Sequence, residues 1–191
     1  MTDVLAGYRV VELASWTFVP SAGAVLADWG ADVIKIEHPE TGDPQRGLIS
    51  SGLVPGDKGV NHFIEQPNRG KRSIGLDTST PEGLQVLMKL VETADVFLTN
   101  LLPESRRRMG VDVEHVRARN PKIIYARGHG YGPKGDAADR GGYDLASYWA
   151  RGGIGDAYAP HDGGYPPFQR AAFGDLYGGL AIAAGITAAL L

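Results

Sequence analysis

The sequence predicts an α/β fold, a Rossmann-like open parallel sheet flanked by helices. Residues 8–13 have the pattern of a strand, residues 20–29 that of a helix, and residues 32–37 that of a second strand. This order and length are typical of a right-handed βαβ crossover that joins a parallel pair of strands. Later strand patterns end in glycine-rich loops, and the chain closes on an apolar run at residues 176–191.

The following elements continue the alternation of strand and helix. A basic turn leads into a short strand within residues 68–77, and Pro81 opens an amphipathic helix over residues 80–92. The other predicted elements are a strand at residues 95–100, a helix at 112–119, a strand at 122–127 and a helix at 141–153. Residues 41–59 are polar and rich in Gly and Pro, a stretch long enough to be a functional loop or lid.

The amino-acid composition excludes several functional classes for this protein. The chain has 191 residues, 43% hydrophobic and 21% charged, which suits one domain with a sizeable core. The net charge of −3 disfavours non-specific binding to nucleic acid, and the lack of cysteine excludes disulfides, thiolate nucleophiles and cysteine-based zinc sites. The N-terminus lacks a signal-peptide pattern, and the C-terminal apolar run is short and Gly-rich for a membrane span. We therefore expect a cytoplasmic protein that binds neither nucleic acid nor membrane.

Side chains that follow the strands are candidate ligand contacts. In open α/β sheets ligands bind outside the carboxyl ends of the strands, so Trp16, Asn100 and His129 are expected to meet in one crevice. Glu37 at a strand end raises the alternative of a dinucleotide site, but the first turn lacks the G-x-G-x-x-G pattern. His129 is either a hydrogen-bonding loop residue or a base, and the sequence pairs no acid with it. No histidine has metal-ligand spacing, so we expect no metal.

The residues alone allow two interpretations for each of two charged features. The cationic run 106–108 is either a solvated helix face or a phosphate clamp, for which guanidinium geometry is suited. Asp175 stands at the mouth of the apolar C-terminal helix, which we expect to be buried nearly all round. It is either an N-cap or a nucleophile whose charge the helix dipole stabilises. A second acid, Asp144, lies near the start of another predicted helix.

Eight short motifs keep a specific order and spacing along the chain. They are Leu5-Ala-Gly-Tyr-Arg-Val-Val-Glu-Leu13, Gly30-Ala-Asp-Val-Ile-Lys-Ile-Glu37, Asn68-Arg-Gly-Lys-Arg-Ser73, Asp95-Val-Phe-Leu-Thr-Asn100, Arg108-Met-Gly-Val111, Asn120-Pro-Lys-Ile-Ile-Tyr125, Gly142-Tyr-Asp144 and Gly174-Asp175-x-x-Gly178-Gly179. Over its full length the chain resembles the class III CoA-transferases, the family of formyl-CoA transferase and carnitine CoA-transferase, with α-methylacyl-CoA racemase as a relative. The resemblance implies that residues 1–191 are the N-terminal, CoA-binding part of the large α/β domain of such an enzyme, with the small domain and the C-terminal remainder outside this chain.

The resemblance assigns the chemistry to Asp175. In the transferases this aspartate attacks the acyl-CoA thioester, which gives an aspartyl-acyl anhydride and free CoA, and later exchanges pass CoA to an acceptor carboxylic acid. We expect Gly178 and Gly179 to form an open turn whose N–H groups are available to the developing oxyanion. Coenzyme A is then a substrate rather than a permanently bound cofactor. An identical subunit is the expected partner, in an interlocked homodimer.

The resemblance also implies a set of CoA contacts. These are Trp16, Thr17, Phe18, His38, Leu76, Asn100, Leu101, Ser105, Arg108 and Met109, with His129 near the pantetheine arm. The family often has Arg at the position of His38 and Phe at that of Leu101. One phosphate contact and one stacking contact are therefore expected to differ in this protein.

Two alternatives stay open beside CoA transfer. In the racemase branch a histidine works with the later aspartate to move a proton at the carbon α to the thioester. That position holds Tyr143 here, and a phenol is a poor proton shuttle at neutral pH. The other alternative is a CoA-binding fragment without turnover, because the family continues past residue 191. Such a fragment is expected to be inactive by itself and to associate through the apolar surface of residues 176–191.

Overall fold

The computed structural model describes residues 3–52 and 59–191, which contain one five-stranded sheet. Its strands are β1 (Arg9–Leu13), β2 (Asp32–Glu37), β3 (Arg72–Gly75), β4 (Val96–Thr99) and β5 (Ile124–Arg127). All neighbouring pairs are parallel, in the order β3-β2-β1-β4-β5. The predicted open parallel sheet is confirmed. Its strand order reverses between β1 and β4, the point at which such sheets bind ligands.

Eight α-helices connect and flank these strands in the part of the chain that the structure describes. They are α1 (Phe18–Asp28), α2 (Gly47–Ser50), α3 (His62–Asn68), α4 (Pro81–Val91), α5 (Pro103–Arg108), α6 (Val113–Arg119), α7 (Ile154–Ala157) and α8 (Phe173–Leu190). A 3-10 turn at Pro44–Arg46 and a π-helix at Leu145–Arg151 accompany them. The predicted loop at residues 41–59 therefore contains short helical turns, and its residues 53–58 lie outside the described residues.

Several helix ends follow from local sequence signals. Thr80 caps α4 through its hydroxyl, which accepts a hydrogen bond from Gly83 N at 3.1 Å, and Pro81 is the first helical residue. Asp112 caps α6 in a similar way. The helix predicted to begin at Pro20 begins two residues earlier, as α1. Pro20 is the third residue of α1, within the first turn, where a proline removes no intrahelical hydrogen bond.

The sheet is covered on both faces. Side chains alternate along β1, so that Val10 packs with α1 and α8 on one face while Val11 packs with α4 and α6 on the other. On the first face α8 lies unusually close to α1 because Gly179 has no side chain. A Cβ there would lie 2.7 Å from Ser21 Cβ and 2.9 Å from Phe18 O. The position of α8, and of Asp175 in its first turn, is thus fixed by direct backbone packing.

The expectation that the C-terminal helix is buried nearly all round is wrong for the described chain. The buried residues of α8 are Gly174, Gly179, Ala183 and Ile186. On another side of the helix Leu176, Tyr177 and Leu180 are between 41% and 58% exposed. Nothing among residues 3–52 and 59–191 covers this second apolar side. By length and composition α8 would also be able to cross a membrane, but the core helix of a soluble protein passes the same test, so this is a weak indication.

Candidate functional site

The candidate site lies at the carboxyl ends of β1 and β4, where the strand order reverses. Asn100 directly follows β4 and ties the two loops together. Its Nδ2 donates to Ser15 O at 2.6 Å, and its Oδ1 accepts from Ser15 N at 3.1 Å. A side-chain amide therefore continues the pairing of β1 with β4 beyond the last strand residues and fixes the loop after β1.

Trp16 is held in this loop in a left-handed conformation, with a φ of 68°. Its backbone N–H donates to Asp43 Oδ1 at 3.2 Å. The other carboxylate oxygen of Asp43 lies 3.1 Å from Nζ of the buried Lys35, which also donates to Ala14 O at 2.9 Å. The left-handed backbone of Trp16 is thus stabilised by its hydrogen bond to Asp43. The carboxylate of Asp43 is held in place by the buried Lys35 beneath the loop.

Two further buried residues complete this charge cluster. Lys71 Nζ donates to both carboxylate oxygens of Glu12 at 2.8 Å, and Lys35 Nζ lies 3.4 Å from Glu12 Oε1. Burial lowers the pKa of Lys71 to about 8 against the opposing attraction of Glu12. The cluster balances two acids, Glu12 and Asp43, with two bases. Each charge has a partner, which is the condition under which buried charges are tolerated.

Two neighbouring cavities open beside the switch point. The first cavity has a volume of about 220 Å³. The predicted site residues that line it are Trp16, Phe18, Asn100, Leu101, His129 and Asp175. Trp16, Asn100 and His129 therefore do converge, as expected for residues that follow parallel strands. Tyr143 lies on the rim, with its ring edge-on to Trp16 at 5.6 Å between centroids.

The second cavity has a volume of about 240 Å³ and adjoins the ends of β1 and β2. It contains the predicted residues His38, Leu76 and Met109, and it shares Leu101 with the first cavity. Among its described lining residues His38 is the one base, and His38 Nε2 lies 3.9 Å from Asp77 Oδ2. Leu101 thus lies between the two cavities and borders both.

Three predicted contacts lie outside both cavities. Thr17 is buried, and its hydroxyl accepts a hydrogen bond from Gln45 Nε2 at 2.7 Å. Ser105 and Arg108 belong to α5, and neither side chain lines the first or the second cavity. The structure gives Thr17 a role in fixing the loop after β1 and brings neither α5 residue to the switch point.

The arginine run 106–108 is not a three-membered phosphate clamp. Arg106 is 1% exposed, with Nε donating to Asp112 Oδ1 at 3.1 Å and a terminal nitrogen donating to Leu101 O at 2.6 Å. Arg107 and Arg108 are exposed. Because one arginine points into the protein and pairs there, the clamp hypothesis is wrong for the run as a whole, and Arg106 instead fixes the loop that carries Leu101.

Asp175 is the third residue of α8 and not its N-cap. The helix begins after Ala172, whose φ is 62° and whose side chain makes no capping hydrogen bond. The carboxylate of Asp144 takes that role, because its two oxygens accept from Gly174 N at 3.1 and 3.2 Å. The capping hypothesis for Asp175 is therefore wrong, and its carboxylate has no hydrogen-bond partner within the described chain.

The environment of Asp175 raises the pKa of its carboxyl group above the ordinary value. Burial raises its pKa to about 6, and the nearby charge of Asp144 contributes in the same direction. Besides the first cavity, Asp175 lines a third cavity of about 310 Å³ together with Asp144 and residues of the π-helix. A carboxyl group with a perturbed pKa at the border of two cavities is typical of a functional site.

The glycines near Asp175 serve close packing. Gly178 and Gly179 lie inside α8, where their N–H groups belong to the helix, so the expectation of an open turn with N–H groups free for an oxyanion is wrong. A Cβ at Gly178 would collide with the Phe18 ring, and one at Gly174 would collide with the Tyr148 ring. The glycines thus allow two aromatic rings to pack closely against the first turns of α8.

The segment predicted as an ordinary helix at residues 141–153 is a π-helix at Leu145–Arg151. It carries Ser147 and Tyr148 to the third cavity, two residues that sequence reasoning left without a role. A π-helix has a wider turn than the 3.6-residue period, so hydrophobic periodicity gives no sign of it. Among residues 3–52 and 59–191 no group of three or more histidine or acidic side chains is placed to hold a metal ion.

The chain matches known proteins over its length. A family model described as CoA-transferase family III matches residues 5–191. An (R)-2-hydroxy-4-methylpentanoate CoA-transferase from Clostridioides difficile is 37% identical over 187 residues, which cover 98% of this chain and 46% of that protein. A succinate–glutarate CoA-transferase from Agrobacterium fabrum is 40% identical over 200 residues, which cover 100% of this chain and 49% of that protein.

Solved structures agree with these matches. The crystal structure of a CAIB/BAIF family protein from Brucella suis superposes with a TM-score of 0.85 and 37% sequence identity, over 97% of this chain and 48% of that one. The chain therefore spans about half the length of the relatives that it matches.

Proposed function

The chain belongs to CoA-transferase family III, and on that premise we propose that the protein containing it moves coenzyme A from an acyl-CoA donor to a carboxylic acid acceptor. The observation that supports this most directly is the position of Asp175. Its carboxyl group is part-buried, lies at the border of the first and third cavities, and makes no hydrogen bond to the described residues. A carboxylate so placed is available to attack a thioester.

In the proposed reaction a carboxylate oxygen of Asp175 attacks the carbonyl carbon of the thioester. The C–S bond breaks, CoA leaves as the thiolate, and an aspartyl-acyl anhydride forms. The anhydride retains the reactivity of the thioester, so further anhydride and thioester exchanges are able to pass CoA to the acceptor. The burial that raises the pKa of Asp175 to about 6 also leaves its ionised form poorly solvated at neutral pH, which increases its nucleophilicity.

We place CoA along the first and second cavities. The pantetheine arm lies in the first cavity, beside Trp16, Phe18 and His129, and ends at Asp175. The nucleotide lies in the second cavity, beside His38 and its neighbours, and the molecule passes Leu101 between them. Shared lining by Leu101 supports this path. Direct CoA contacts from Thr17, Ser105 and Arg108 rest on the family resemblance alone.

The proposal extends to parts of the protein that this chain does not contain. Because the chain spans about half the length of its relatives, we infer that residues 1–191 are the N-terminal, CoA-binding part of a larger α/β domain. A cytoplasmic location, an interlocked homodimer, and inactivity of residues 1–191 by themselves belong to the same proposal. The identities of the donor and acceptor acids depend on this remainder as well.

Trapping the acyl-enzyme tests the proposal. The full-length protein, incubated with an acyl-CoA and hydroxylamine, should release one CoA thiol per site and carry a hydroxamate at Asp175, detected by mass spectrometry. Asp175→Ala and Asp175→Asn should lower kcat for CoA transfer at least about a thousandfold. The control Asp136→Asn, which changes an exposed loop residue, should leave kcat for CoA transfer unchanged.

Undiminished transfer by both Asp175 variants would refute the role of Asp175. Exchange of the α-hydrogen of an acyl-CoA with deuterated solvent, in the absence of any acceptor acid, would favour the racemase alternative instead. Tyr143, which occupies the position of the racemase histidine, is 68% exposed on the rim of the first cavity, and we expect no such exchange.

A further inference from the structure

Residues 16–18, which we call the cavity turn, are held from beneath by a loop that follows β2. Asp43 Oδ1 accepts a hydrogen bond from Trp16 N at 3.2 Å, and Gln45 Nε2 donates to Thr17 Oγ1 at 2.7 Å. Trp16 lines the first cavity, whereas neither Asp43 nor Gln45 does. The side chain of Asp43 is 0% exposed, and Gln45 is 2% exposed. These two residues therefore act on the first cavity only through the cavity turn.

The loop that supplies these two contacts is itself anchored to β2. Glu37, the last residue of β2, accepts from Asp43 N at 2.9 Å and from Arg46 through both carboxylate oxygens at 2.8 Å. Asp43 Oδ1 also accepts from Gln45 N at 3.0 Å, which caps the 3-10 turn. Asp43 Oδ2 lies 3.1 Å from Nζ of Lys35, another residue of β2. The loop thus transmits the position of β2 to the cavity turn.

The cavity turn requires this support because its backbone conformation is unfavourable by itself. The φ of Trp16 is 68°, a region that a bulky residue adopts only where its surroundings hold it. Asn100 fixes the preceding residue, Ser15, through two hydrogen bonds, but the N–H of Trp16 is bonded to Asp43. Without that acceptor we expect Trp16 to relax to a negative φ, which would move its indole ring in the first cavity.

We propose that Asp43 and Gln45 are positioning residues for the binding of CoA, which act through Trp16 and Thr17 without touching the ligand. The sequence indicates a functional loop at residues 41–59, and this role belongs to the first part of that loop. The inference rests on the proposed function, because it takes CoA to lie beside Trp16. Preorganisation of a binding site lowers the entropic cost of ordering it, so a loss of either contact should weaken affinity.

Gln45→Met removes the donor to Thr17 and keeps the approximate size of the side chain. Gln45 Oε1 is buried without a hydrogen-bond partner in the described chain, so an apolar replacement also removes an unpaired oxygen and should change stability little. In calorimetric titrations of the full-length protein we expect the Kd of CoA to rise about three- to tenfold, with the midpoint of urea unfolding unchanged. A Kd within about twofold of that of the unsubstituted protein would overturn the role of Gln45.

Two substitutions of Asp43 separate positioning from stability. Asp43→Ala removes the acceptor of Trp16 N, whereas Asp43→Asn retains a side-chain oxygen there and loses the charge that faces Lys35. Both leave Lys35 with fewer acidic partners and should lower the urea midpoint. Asp43→Ala should raise the Kd of CoA about tenfold, and Asp43→Asn less than about threefold. Equal Kd values in the two variants would show that affinity merely follows stability and would overturn the inference.

Asn120→Ala is a matched control for lost stability. Asn120 Nδ2 donates to Val91 O at 3.0 Å and to Ala94 O at 2.7 Å, at the opposite edge of the sheet from the first cavity. Its removal should lower the urea midpoint and leave the Kd of CoA unchanged. A rise in Kd equal to that of Asp43→Ala would refute a specific role of the loop.

A double-mutant cycle tests the route through Thr17. If Gln45 acts through the hydroxyl of Thr17, Gln45→Met should raise the Kd of CoA in the unsubstituted background and change it less than about twofold in the Thr17→Val background. Additive effects of the two substitutions would show that Gln45 acts by another route and would refute this step of the inference.

CoA binding and CoA transfer are measured separately, so the inference and the proposed function are refuted by different results. Transfer by the unsubstituted protein, with the Kd of CoA unchanged in Gln45→Met and Asp43→Ala, would refute the inference alone. A Kd that depends on both residues, in a protein that transfers no CoA, would support the inference and refute the transferase proposal. In an active protein both variants should raise KM for acyl-CoA and change kcat less than about twofold, because Asp175 is held on α8.

Discussion

Two carboxyl groups, Asp144 and Asp175, have different roles at the start of α8. Asp144 accepts hydrogen bonds from Gly174 N, while Asp175 has a pKa raised to about 6 from its ordinary value of 3.8. Since the folded state holds this proton more tightly than the unfolded chain, the contribution of Asp175 to stability is fully present below pH 3.8 and is lost as the pH rises to about 6. The loss is on the order of 3 kcal/mol. At neutral pH the carboxyl group that is proposed to react therefore makes the folded protein less stable.

Asp144→Asn should shift the pH dependence of the reaction. The amide oxygen still accepts from Gly174 N, but the negative charge that helps to raise the pKa of Asp175 is gone. We expect the midpoint of the rise in kcat with pH to move from about 6 to lower pH, by less than about one pH unit because burial remains. The rate of CoA transfer at saturating substrate, followed across pH 4–8, measures it, roughly the range over which a carboxyl group perturbed in this way titrates.

A matched control for this shift is Asp136→Asn, which removes the same charge at an exposed loop position. Its pH profile should superpose on that of the unsubstituted protein. A midpoint that stays at about 6 in Asp144→Asn, or moves to higher pH, would show that Asp144 does not act on the titration of Asp175.

His38→Arg should tighten the binding of CoA. His38 is the base in the described lining of the second cavity, and Asp77 Oδ2 lies 3.9 Å from its Nε2. An arginine adds a permanent positive charge and a planar fork suited to phosphate. We expect a Kd for CoA about three- to tenfold lower, with a steeper dependence on salt, in calorimetric titrations. His115→Arg on α6 adds the same charge elsewhere and should change little, and an unchanged Kd in His38→Arg would mean that no CoA phosphate reaches the second cavity.

At the scale of helices and strands, an element is predictable where the local sequence carries a clear pattern or cap. The sequence predicts β2 with the bounds that the structure has, since three of its six residues are apolar and β-branched, and it predicts the start of α4 from Thr80 and Pro81. The π-helix was predicted only as an ordinary helix, because bonding across five residues leaves no period in the sequence. The helix α3 is not among the predicted elements, and it contains Pro67 one residue before its end. Here tertiary packing overrides a residue that normally breaks helices.

The contact between α1 and α8 should be intolerant of a side chain at Gly179. A Cβ at this position would lie 2.7 Å from Ser21 Cβ and 2.9 Å from Phe18 O, and backbone atoms move only if α8 moves. Gly179→Ala should therefore lower the free energy of unfolding by about 1–3 kcal/mol in urea denaturation. The shift of α8 should also displace Asp175 and reduce kcat.

Gly185→Ala is the matched control in the same helix. A Cβ there meets nothing within 4 Å, so the substitution only improves helix propensity. We expect the free energy of unfolding to rise by about 0.5–1 kcal/mol. Equal effects of the two substitutions would mean that Gly179 is not required for the close approach of the helices.

At the scale of the whole molecule, the topology was easier to predict than the contacts across it. Trp16, Asn100 and His129 converge because each follows a parallel strand, and a parallel sheet brings those ends together. The pairing of Asp144 with the start of α8 joins residues thirty positions apart. The burial of Arg106 depends on a fold in which Asp112 lies beneath it. Neither contact leaves a pattern in the local sequence, which is why the residues alone leave the cap and the arginine clamp open as alternatives.

We expect the second apolar side of α8 to make the isolated chain prone to association. Leu176, Tyr177 and Leu180 are 41%, 58% and 48% exposed on one side of an 18-residue helix, a larger continuous apolar surface than single exposed residues provide. We expect residues 1–191 to sediment as dimers or larger species at micromolar concentration. Leu180→Glu should shift the weight-average mass towards the monomer without lowering the thermal midpoint. The control Val86→Glu, at an apolar residue 40% exposed on α4, should leave association unchanged. A cooperative, monomeric unsubstituted chain at high concentration would contradict this expectation.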